Sequence, residues 1–267
     1  SELNARLSRE DMVEDWLDTA RRWANDQKFR IDVQTIQNRH TPHQAGRTLA
    51  DIADVAIRAL FPRIANDFAI KHGTFDKGGL AVFALGKHGG QELSPGSDLD
   101  MIFVYDVPED AEESNGENPL TPGHYFIRLS QRYINALSAP TAEGVLFETD
   151  LRLRPSGNKG PLATHFKSFE AYQLNEAWTW EHMALTRLRP VYGPQELCDK
   201  VMATTHSVLQ KQRNPDDLLR DVYDMRNRMD AGKGNNHPWA IKMRRGGLVD
   251  LEFIAQYLQL AHAYSHP

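Results

Sequence analysis

Residues 80–105 read LAVFALGKHGGQELSPGSDLDMIFVY, two apolar runs on either side of a glycine-rich segment that ends in Asp-Leu-Asp. Apolar runs of this length, bounded by glycine, proline and serine, predict two strands joined by a turn and a short connection. Successive side chains of a strand point to opposite faces, so we expect Asp98 and Asp100 to share one face, about 7 Å apart. The second strand therefore begins with a pair of carboxylates.

Two carboxylates on one strand face repel each other unless a positive charge lies between them. Divalent metal ions that bind nucleotide phosphates supply such a charge, so the pair indicates phosphoryl or nucleotidyl transfer. The glycine-rich turn fits the same chemistry, because glycine lets backbone N–H groups approach phosphate oxygens closely. The predicted phosphate-binding residues of this segment are Gly86, Lys87, Gly89, Gly90 and Ser97.

A third carboxylate is expected from a later strand. Residues 144–154 alternate in polarity, which predicts a strand with Asp150, Arg152 and Arg154 on one face. If this strand pairs beside the strand of Asp98 and Asp100, three carboxylates converge, and three carboxylates can bind two divalent ions ~3.5–4 Å apart. Arg152 and Arg154 would then direct positive charge toward a phosphate.

Much of the remaining sequence has helical periodicity. Apolar stripes predict a helix over 8–25, capped by Ser8, and a second helix that begins at Thr41 and Pro42. Spacing of the same kind predicts four later helices, over 124–137, 197–212, 218–229 and 248–263, and a break at 232–238.

This pattern predicts an α+β fold in three parts. An N-terminal helical segment covers 1–70, a core with a small mixed sheet covers 71–165, and a helical bundle covers 166–267. The last helix runs almost to the final residue, from which we expect the chain to be a piece of a longer one.

Composition restricts the class of protein. The chain has 267 residues and a net charge of −5, and an acidic balance argues against a dedicated nucleic-acid binder. No apolar run approaches ~18 residues, so no membrane span is predicted, and the first residues lack the apolar core of a signal peptide. The single cysteine, Cys198, cannot form an intrachain disulfide, which favours a reducing compartment and a cytoplasmic location.

Several segments carry a resemblance to a known family. Residues 86–100 resemble the signature of polymerase-β-type nucleotidyltransferases, in which a Gly-Gly turn precedes Asp-x-Asp. Three further segments, at 150–157, 172–182 and 246–253, read DLRLRPSG, YQLNEAWTWEH and GGLVDLEF. Together the segments are similar to the glutamine synthetase adenylyltransferase family, also called glutamate–ammonia ligase adenylyltransferase. His88 departs from the family pattern, which usually has an apolar residue at this place in the turn.

The resemblance implies a nucleotidyltransferase core that transfers AMP from ATP to a tyrosine of glutamine synthetase by a two-metal mechanism. The segments at 150–157 and 172–182 resemble the C-terminal, AMP-attaching unit of this bifunctional family. The implied metal ligands, Asp98, Asp100 and Asp150, would bind Mg²⁺, with Mn²⁺ as the alternative. The implied partners are glutamine synthetase and the PII signalling protein, with glutamine as an effector, in the regulation of nitrogen metabolism.

Two other functions stay open from the sequence. The same carboxylates would serve phosphorolytic removal of AMP from glutamine synthetase. A catalytically silent regulatory module, which reports glutamine or PII to another unit, is the second alternative, and the presence of all three aspartates argues against it. Polymerase activity on nucleic acid is disfavoured by the net charge of −5 and the lack of a basic stripe.

Residues within the resembling segments also have simpler structural interpretations. Trp178 and Trp180 are predicted to lie in the core rather than to stack on a base. One of Asp250 and Glu252 is predicted to pair with Arg244 or Arg245, as a structural ion pair rather than as a contact of the site.

Overall fold

A computed structural model describes residues 1–233, 237 and 239–266 of the chain, so the predicted break at 232–238 lies mostly outside the described residues. The chain divides into two compact units. Unit 1 comprises Ser1–Phe169 and Arg187–Asp199, and unit 2 comprises Glu170–Thr186 and Lys200–Pro267. The three-part division of the sequence at 70 and 165 remains a prediction about domains.

Unit 1 begins with three helices, α1 (Glu2–Leu7), α2 (Val13–Ile36) and α3 (Pro42–His72). The predicted start of α3 is confirmed, because the Thr41 hydroxyl accepts from the Gln44 amide at 3.2 Å and the Gln44 side chain accepts from the Thr41 amide at 2.9 Å. The bounds predicted for the first helix were wrong. Ser8 ends α1, and α2 continues to Ile36 because its apolar face still buries Ile31.

A five-stranded mixed sheet follows, formed by β1 (Gly79–Ala84), β2 (Leu99–Asp106), β3 (Thr149–Asp150), β4 (Ala163–His165) and β5 (Arg189–Tyr192). The path runs β3-β2-β1-β5, and β4 also pairs with β2. β1 is antiparallel to β2 and β5, whereas β2 is parallel to β3 and β4. The predicted strands at 80–85 and 101–105, and the α+β class with a small mixed sheet, are confirmed.

Two helices of unit 1 follow strands of this sheet. The short helix α4 (Gly86–Gly89) comes directly after β1, and α5 (Pro122–Ser138) lies in the region predicted as helix over 124–137. The apolar face of α5 packs on α3, where the rings of Phe61 and Tyr133 stack with centroids 3.8 Å apart. The sheet is therefore supported by a continuous core that includes the N-terminal helices.

The strand predicted over 144–154 was wrong in its length, because only Thr149–Asp150 pairs as a strand. Leu146 and Phe147 are both buried although they are neighbours, which a regular strand with one buried face does not allow. The chain after Asp150 turns, so Arg152 and Arg154 do not continue a strand face with it. The sequence also missed β4 and β5, which are only three and four residues long.

Unit 2 is helical. Helices α6 (Phe166–Asn175) and α8 (Gln195–Leu209) each belong partly to unit 1 and partly to unit 2, while α7 (Thr179–Leu185), α9 (Pro215–Lys233) and α10 (Leu248–His262) belong to unit 2 alone. The helices predicted over 197–212, 218–229 and 248–263 are confirmed. Four buried side chains form the centre of unit 2: Met183, Leu218, Val222 and Leu260.

One prediction for unit 2 was wrong. Trp178 is 65% exposed rather than in the core, while Trp180 is half-buried against the central cluster. Asp250 forms an ion pair with Arg226, and it also accepts from the Gly246 amide at 2.6 Å. None of the helices built by the described residues is both long and apolar enough to cross a membrane.

Candidate active site

The aspartates predicted as metal ligands meet at one end of the sheet. In the parallel pairing of β2 with β3, Leu99 lies beside Thr149 and Asp100 lies beside Asp150. Neighbouring strands are about 4.8 Å apart, so the backbones of Asp100 and Asp150 are adjacent. Asp98 immediately precedes β2, where the Leu99 amide donates to the Glu148 carbonyl at 2.9 Å. The structure thus brings Asp150 beside the other two aspartates.

Arg152 lies close to all three carboxylates. Its amide donates to Asp150 Oδ1 at 2.9 Å, and its guanidinium donates to both Asp150 oxygens through Nε and Nη2. The hydrogen bond and charge of Asp150, together with the charges of Asp100 and Asp98, raise the pKa of Arg152. This guanidinium is therefore the cation that the carboxylates share in the structure.

The start of the glycine-rich turn fits against Asp100. Gly86 has a φ of +50°, a backbone conformation that glycine adopts without strain. A Cβ placed on Gly86 would lie 2.2 Å from Asp100 Oδ2, so any side chain at this position would displace the carboxylate. Glycine at 86 thus allows the turn and the aspartate to pack directly together.

The end of the turn is fixed by its own hydrogen bonds. The Gly89 amide donates to the Leu85 carbonyl at 2.7 Å, and the Gly90 amide donates to the Gly86 carbonyl at 3.0 Å. These two amides, predicted to bind phosphate, are used inside the turn in this conformation. Position 89 requires glycine because the backbone of Arg187 approaches it closely. A Cβ on Gly89 would lie 1.9 Å from the Arg187 carbonyl oxygen.

Lys87 and Ser97 are joined through a serine that the sequence reading missed. Lys87 Nζ donates to Ser94 Oγ at 3.2 Å, and the two serine hydroxyl oxygens are 2.8 Å apart. The Ser94 amide also donates to Ser97 Oγ at 3.1 Å. The signal for Ser94 in the sequence was the turn around Pro95 and Gly96, because serine hydroxyls commonly form hydrogen bonds to the backbone in turns of this kind. The two predicted phosphate-binding residues therefore belong to one hydrogen-bonded group.

Arg154 has a different environment from Arg152. Its guanidinium donates to the carbonyl oxygens of Leu151 at 2.8 Å and Gly160 at 3.2 Å, and the residue is buried. Burial lowers the pKa of Arg154, although the charge of Asp150 acts in the opposite direction. Arg154 thus stabilises the loop to which it belongs. Its predicted contact with a phosphate stays a prediction.

Behind the turn lies a largely buried cluster of ionisable residues that the sequence reading also missed. His88 Nε2 lies 2.8 Å from Asp54 Oδ1, and Arg189 donates to both oxygens of Asp54. From the sequence, His88 stands out only as a departure from a family pattern. Asp54 lies within the apolar stripe of α3. The signal in the sequence was a single carboxylate among the alanines of that stripe.

The carboxylates suit a divalent cation by the type of ligand they offer, since Mg²⁺ and Mn²⁺ prefer carboxylate oxygens. The pocket that Gly86 leaves for the Asp100 carboxylate supports this fit. Within the part of the chain that the structure describes, however, no three His, Cys, Asp or Glu side chains are already arranged to hold a metal ion. Binding a metal at Asp150 requires Arg152 to give up its hydrogen bonds to that carboxylate.

Residues 1–204 match the family model described as glutamate-ammonia ligase adenylyltransferase. Among curated proteins, the bifunctional glutamine synthetase adenylyltransferase/adenylyl-removing enzyme of Mesorhizobium japonicum is 47% identical over 95% of this chain and 26% of its own length. The proteins with the same name from Brucella suis and Xanthobacter autotrophicus are 44% and 45% identical over 97% and 98% of the chain, and again over 26% of their own lengths. The chain thus spans about a quarter of the length of the curated relatives it matches.

Proposed function

Because the chain belongs to the glutamate–ammonia ligase adenylyltransferase family, we propose that it transfers AMP from ATP to a tyrosine of glutamine synthetase. The observation that carries the proposal is the pairing of Asp100 beside Asp150, with Asp98 two residues before Asp100 and the glycine-rich turn packed on Asp100. This arrangement collects negative charge at one sheet end, as a cation-dependent nucleotidyl transfer requires.

Asp98, Asp100 and Asp150 are the residues that would hold Mg²⁺, with Mn²⁺ as the alternative, and three carboxylates are enough for two ions. When bound, the metal neutralises phosphate charge and lowers the pKa of the attacking hydroxyl. Lys87 and Ser97, which are connected through Ser94, would bind phosphate oxygens of ATP.

The transfer itself forms one bond and breaks one bond. The tyrosine oxygen bonds to the α-phosphorus of ATP, the bond from that phosphorus to the leaving pyrophosphate breaks, and the tyrosine proton is removed. A tyrosine hydroxyl has an unperturbed pKa of about 10, so it needs a base near neutral pH. Asp150 is the proposed acceptor of that proton, because its carboxylate lies at the sheet end beside Asp100.

A second candidate function is phosphorolytic removal of AMP from glutamine synthetase. The curated relatives are named for an adenylyl-removing activity as well, and the same carboxylates would serve it. The direct test incubates the chain with Mg²⁺, labelled ATP and unmodified glutamine synthetase, and in parallel with labelled adenylylated glutamine synthetase and phosphate.

We expect label to be transferred to glutamine synthetase in the first reaction. Release of labelled ADP in the second reaction alone would assign the chain to the removing activity. Absence of both products, together with no Mg²⁺–ATP binding by calorimetry, would favour a silent regulatory module. Repeating the first reaction with glutamine and with PII tests whether these proposed effectors act on this chain.

Replacing Arg152 is expected to strengthen metal binding. In Arg152→Gln, the carboxylate of Asp150 loses the guanidinium that competes with a cation. An exposed ion pair contributes roughly 0.2–1 kcal/mol, so we expect Mn²⁺ to bind about 1.4- to fivefold more tightly by isothermal titration calorimetry. The control is Lys159→Gln, which removes an equal charge from an exposed position of the nearby 3-10 turn. Equal Mn²⁺ affinity in the two variants would show that Arg152 does not compete with the metal.

A further inference from the structure

The glycine-rich turn is held from behind by the cluster of Asp54, His88 and Arg189, in which Asp54 and His88 are buried and Arg189 is partly buried. We propose that these three are positioning residues, which fix the turn so that it presents Gly86 and Lys87 to the nucleotide. The inference rests on the proposed AMP transfer for its effect on rate. Its structural part, the immobilisation of the turn, is measurable without any activity.

Asp54 of α3 is the centre of the cluster. It accepts from His88 Nε2 at 2.8 Å and from Arg189 Nη1 and Nη2 at 2.6 and 3.1 Å. The Asp54 side chain is 6% exposed and that of His88 is fully buried. Burial alone would raise the pKa of Asp54, but the hydrogen bonds and charges of His88 and Arg189 lower it on balance. The cluster therefore contains an ionised carboxylate, which binds His88 and Arg189 and also lies 3.5 Å from Arg58.

Arg189 connects this carboxylate to the backbone of the turn. While two of its nitrogens bind Asp54, Nη2 also donates to the His88 carbonyl at 3.1 Å and Nε donates to the Gly89 carbonyl at 3.3 Å. The turn is thus attached at three points: the ring of His88 and the carbonyl oxygens of His88 and Gly89. Since Gly86 at the other end packs on Asp100, movement of the attached end changes the fit to the carboxylate.

Stability alone is a poor explanation for this cluster. Charged groups lose hydration when buried, and apolar residues of similar volume often stabilise a core as well or better. The cluster also contains a destabilising feature, because Nδ1 of His88 is buried without a hydrogen-bond partner among the described residues. Unlike apolar groups, charged groups form directional hydrogen bonds. In this cluster, two such bonds go to backbone carbonyl oxygens of the turn.

The test compares Arg189→Lys with Arg58→Lys. Lysine at 189 keeps the charge but cannot bind Asp54 and both carbonyl oxygens together. Arg58 is the matched control, because it lies 3.5 Å from the same carboxylate and its Nε donates to the Val191 carbonyl. Within the part of the chain that the structure describes, Arg58 forms no hydrogen bond or ion pair with the turn. Both variants are compared with the unaltered chain by amide hydrogen exchange and by the rate of AMP transfer.

In Arg189→Lys we expect the amides of Gly89 and Gly90 to exchange at least about tenfold faster, while amides of β2 keep their protection. The kcat for AMP transfer is expected to fall about tenfold or more. Arg58→Lys is expected to change neither quantity by more than about twofold. If Arg189→Lys does not fold, Asp54→Asn, which keeps an acceptor but removes the charge, carries the same expectations.

Unchanged exchange at Gly89 and Gly90 would overturn the proposal. Equally faster exchange in the turn and in β2 would also overturn it, because that result describes a purely structural role. A loosened turn with an unchanged kcat would overturn the positioning role. If the unaltered chain transfers no AMP but the turn still loosens selectively, the proposed function fails while the attachment of the turn stands.

Discussion

Asp100→Asn is expected to lower the rate of AMP transfer by at least about a hundredfold. Asparagine has the shape of aspartate but no charge, so the variant removes one proposed metal ligand without creating a cavity. Interactions that stabilise charge at the reacting centre are worth roughly 10²–10³ in rate. Because Asp100 lies beside Asp150 and packs on Gly86, the loss affects the proposed metal site and the turn together.

The fold is expected to tolerate this change. One of three neighbouring negative charges is removed, so repulsion decreases, and we expect the free energy of unfolding to stay within about 1 kcal/mol of the original value. The matched control is Asp106→Asn at the opposite end of the same strand, which should retain at least about half of the rate. Initial rates with labelled ATP and urea unfolding measure the two effects. A similar rate for both variants would remove Asp100 from the proposed site.

Gly89→Ala is expected to destabilise unit 1 by about 1–3 kcal/mol, the range for a side chain forced into a packed region. The added methyl carbon would lie 1.9 Å from the Arg187 carbonyl oxygen and 2.9 Å from that of Ala84. Both are backbone atoms, so neither can rotate away. The turn must instead move from the sheet, and we expect AMP transfer to fall with stability. Urea unfolding followed by circular dichroism measures the loss.

Gly90→Ala is the control for this prediction. A methyl group on Gly90 would meet only the side chains of Arg187 and Glu92, at an ordinary contact distance of 3.5 Å. We expect this variant to unfold within about 1 kcal/mol of the unaltered chain. If the two alanine variants are equally stable, the close approach at Gly89 does not constrain the turn.

The sequence was sufficient to predict the local part of the site. Asp98, Asp100 and the glycine-rich turn are close in the chain, and the strand–turn–strand pattern around them is strong. Asp150 was predicted to lie beside them, and it does, although the strand predicted for it was far too long. Polarity alternated over 144–154 without a regular strand because the loop buries neighbouring residues on different sides. The chemistry of the motif was a better guide here than periodicity.

The non-local part of the site could not be predicted in this way. His88 bonds to a residue 34 positions earlier, and the guanidinium that binds its carbonyl comes 101 positions later. A single histidine in a turn gives no information about such partners. Arg189 lies on a strand of four residues that includes a proline, too short for a periodic signal. Its role depends on tertiary pairing with β1, which only the folded chain reveals.

The late position of β5 has a consequence for the order of events during protein synthesis. The ribosome completes the turn 101 residues before it adds the arginine that anchors it. At a synthesis rate of about 5–20 residues per second, roughly 5–20 seconds pass between synthesis of the turn and synthesis of Arg189. Throughout this interval the acidic group of Asp54 has no guanidinium from Arg189, and the edge of β1 that later receives β5 is uncovered. The attachment of the turn through Arg189 therefore forms only after β5 has emerged and paired with β1.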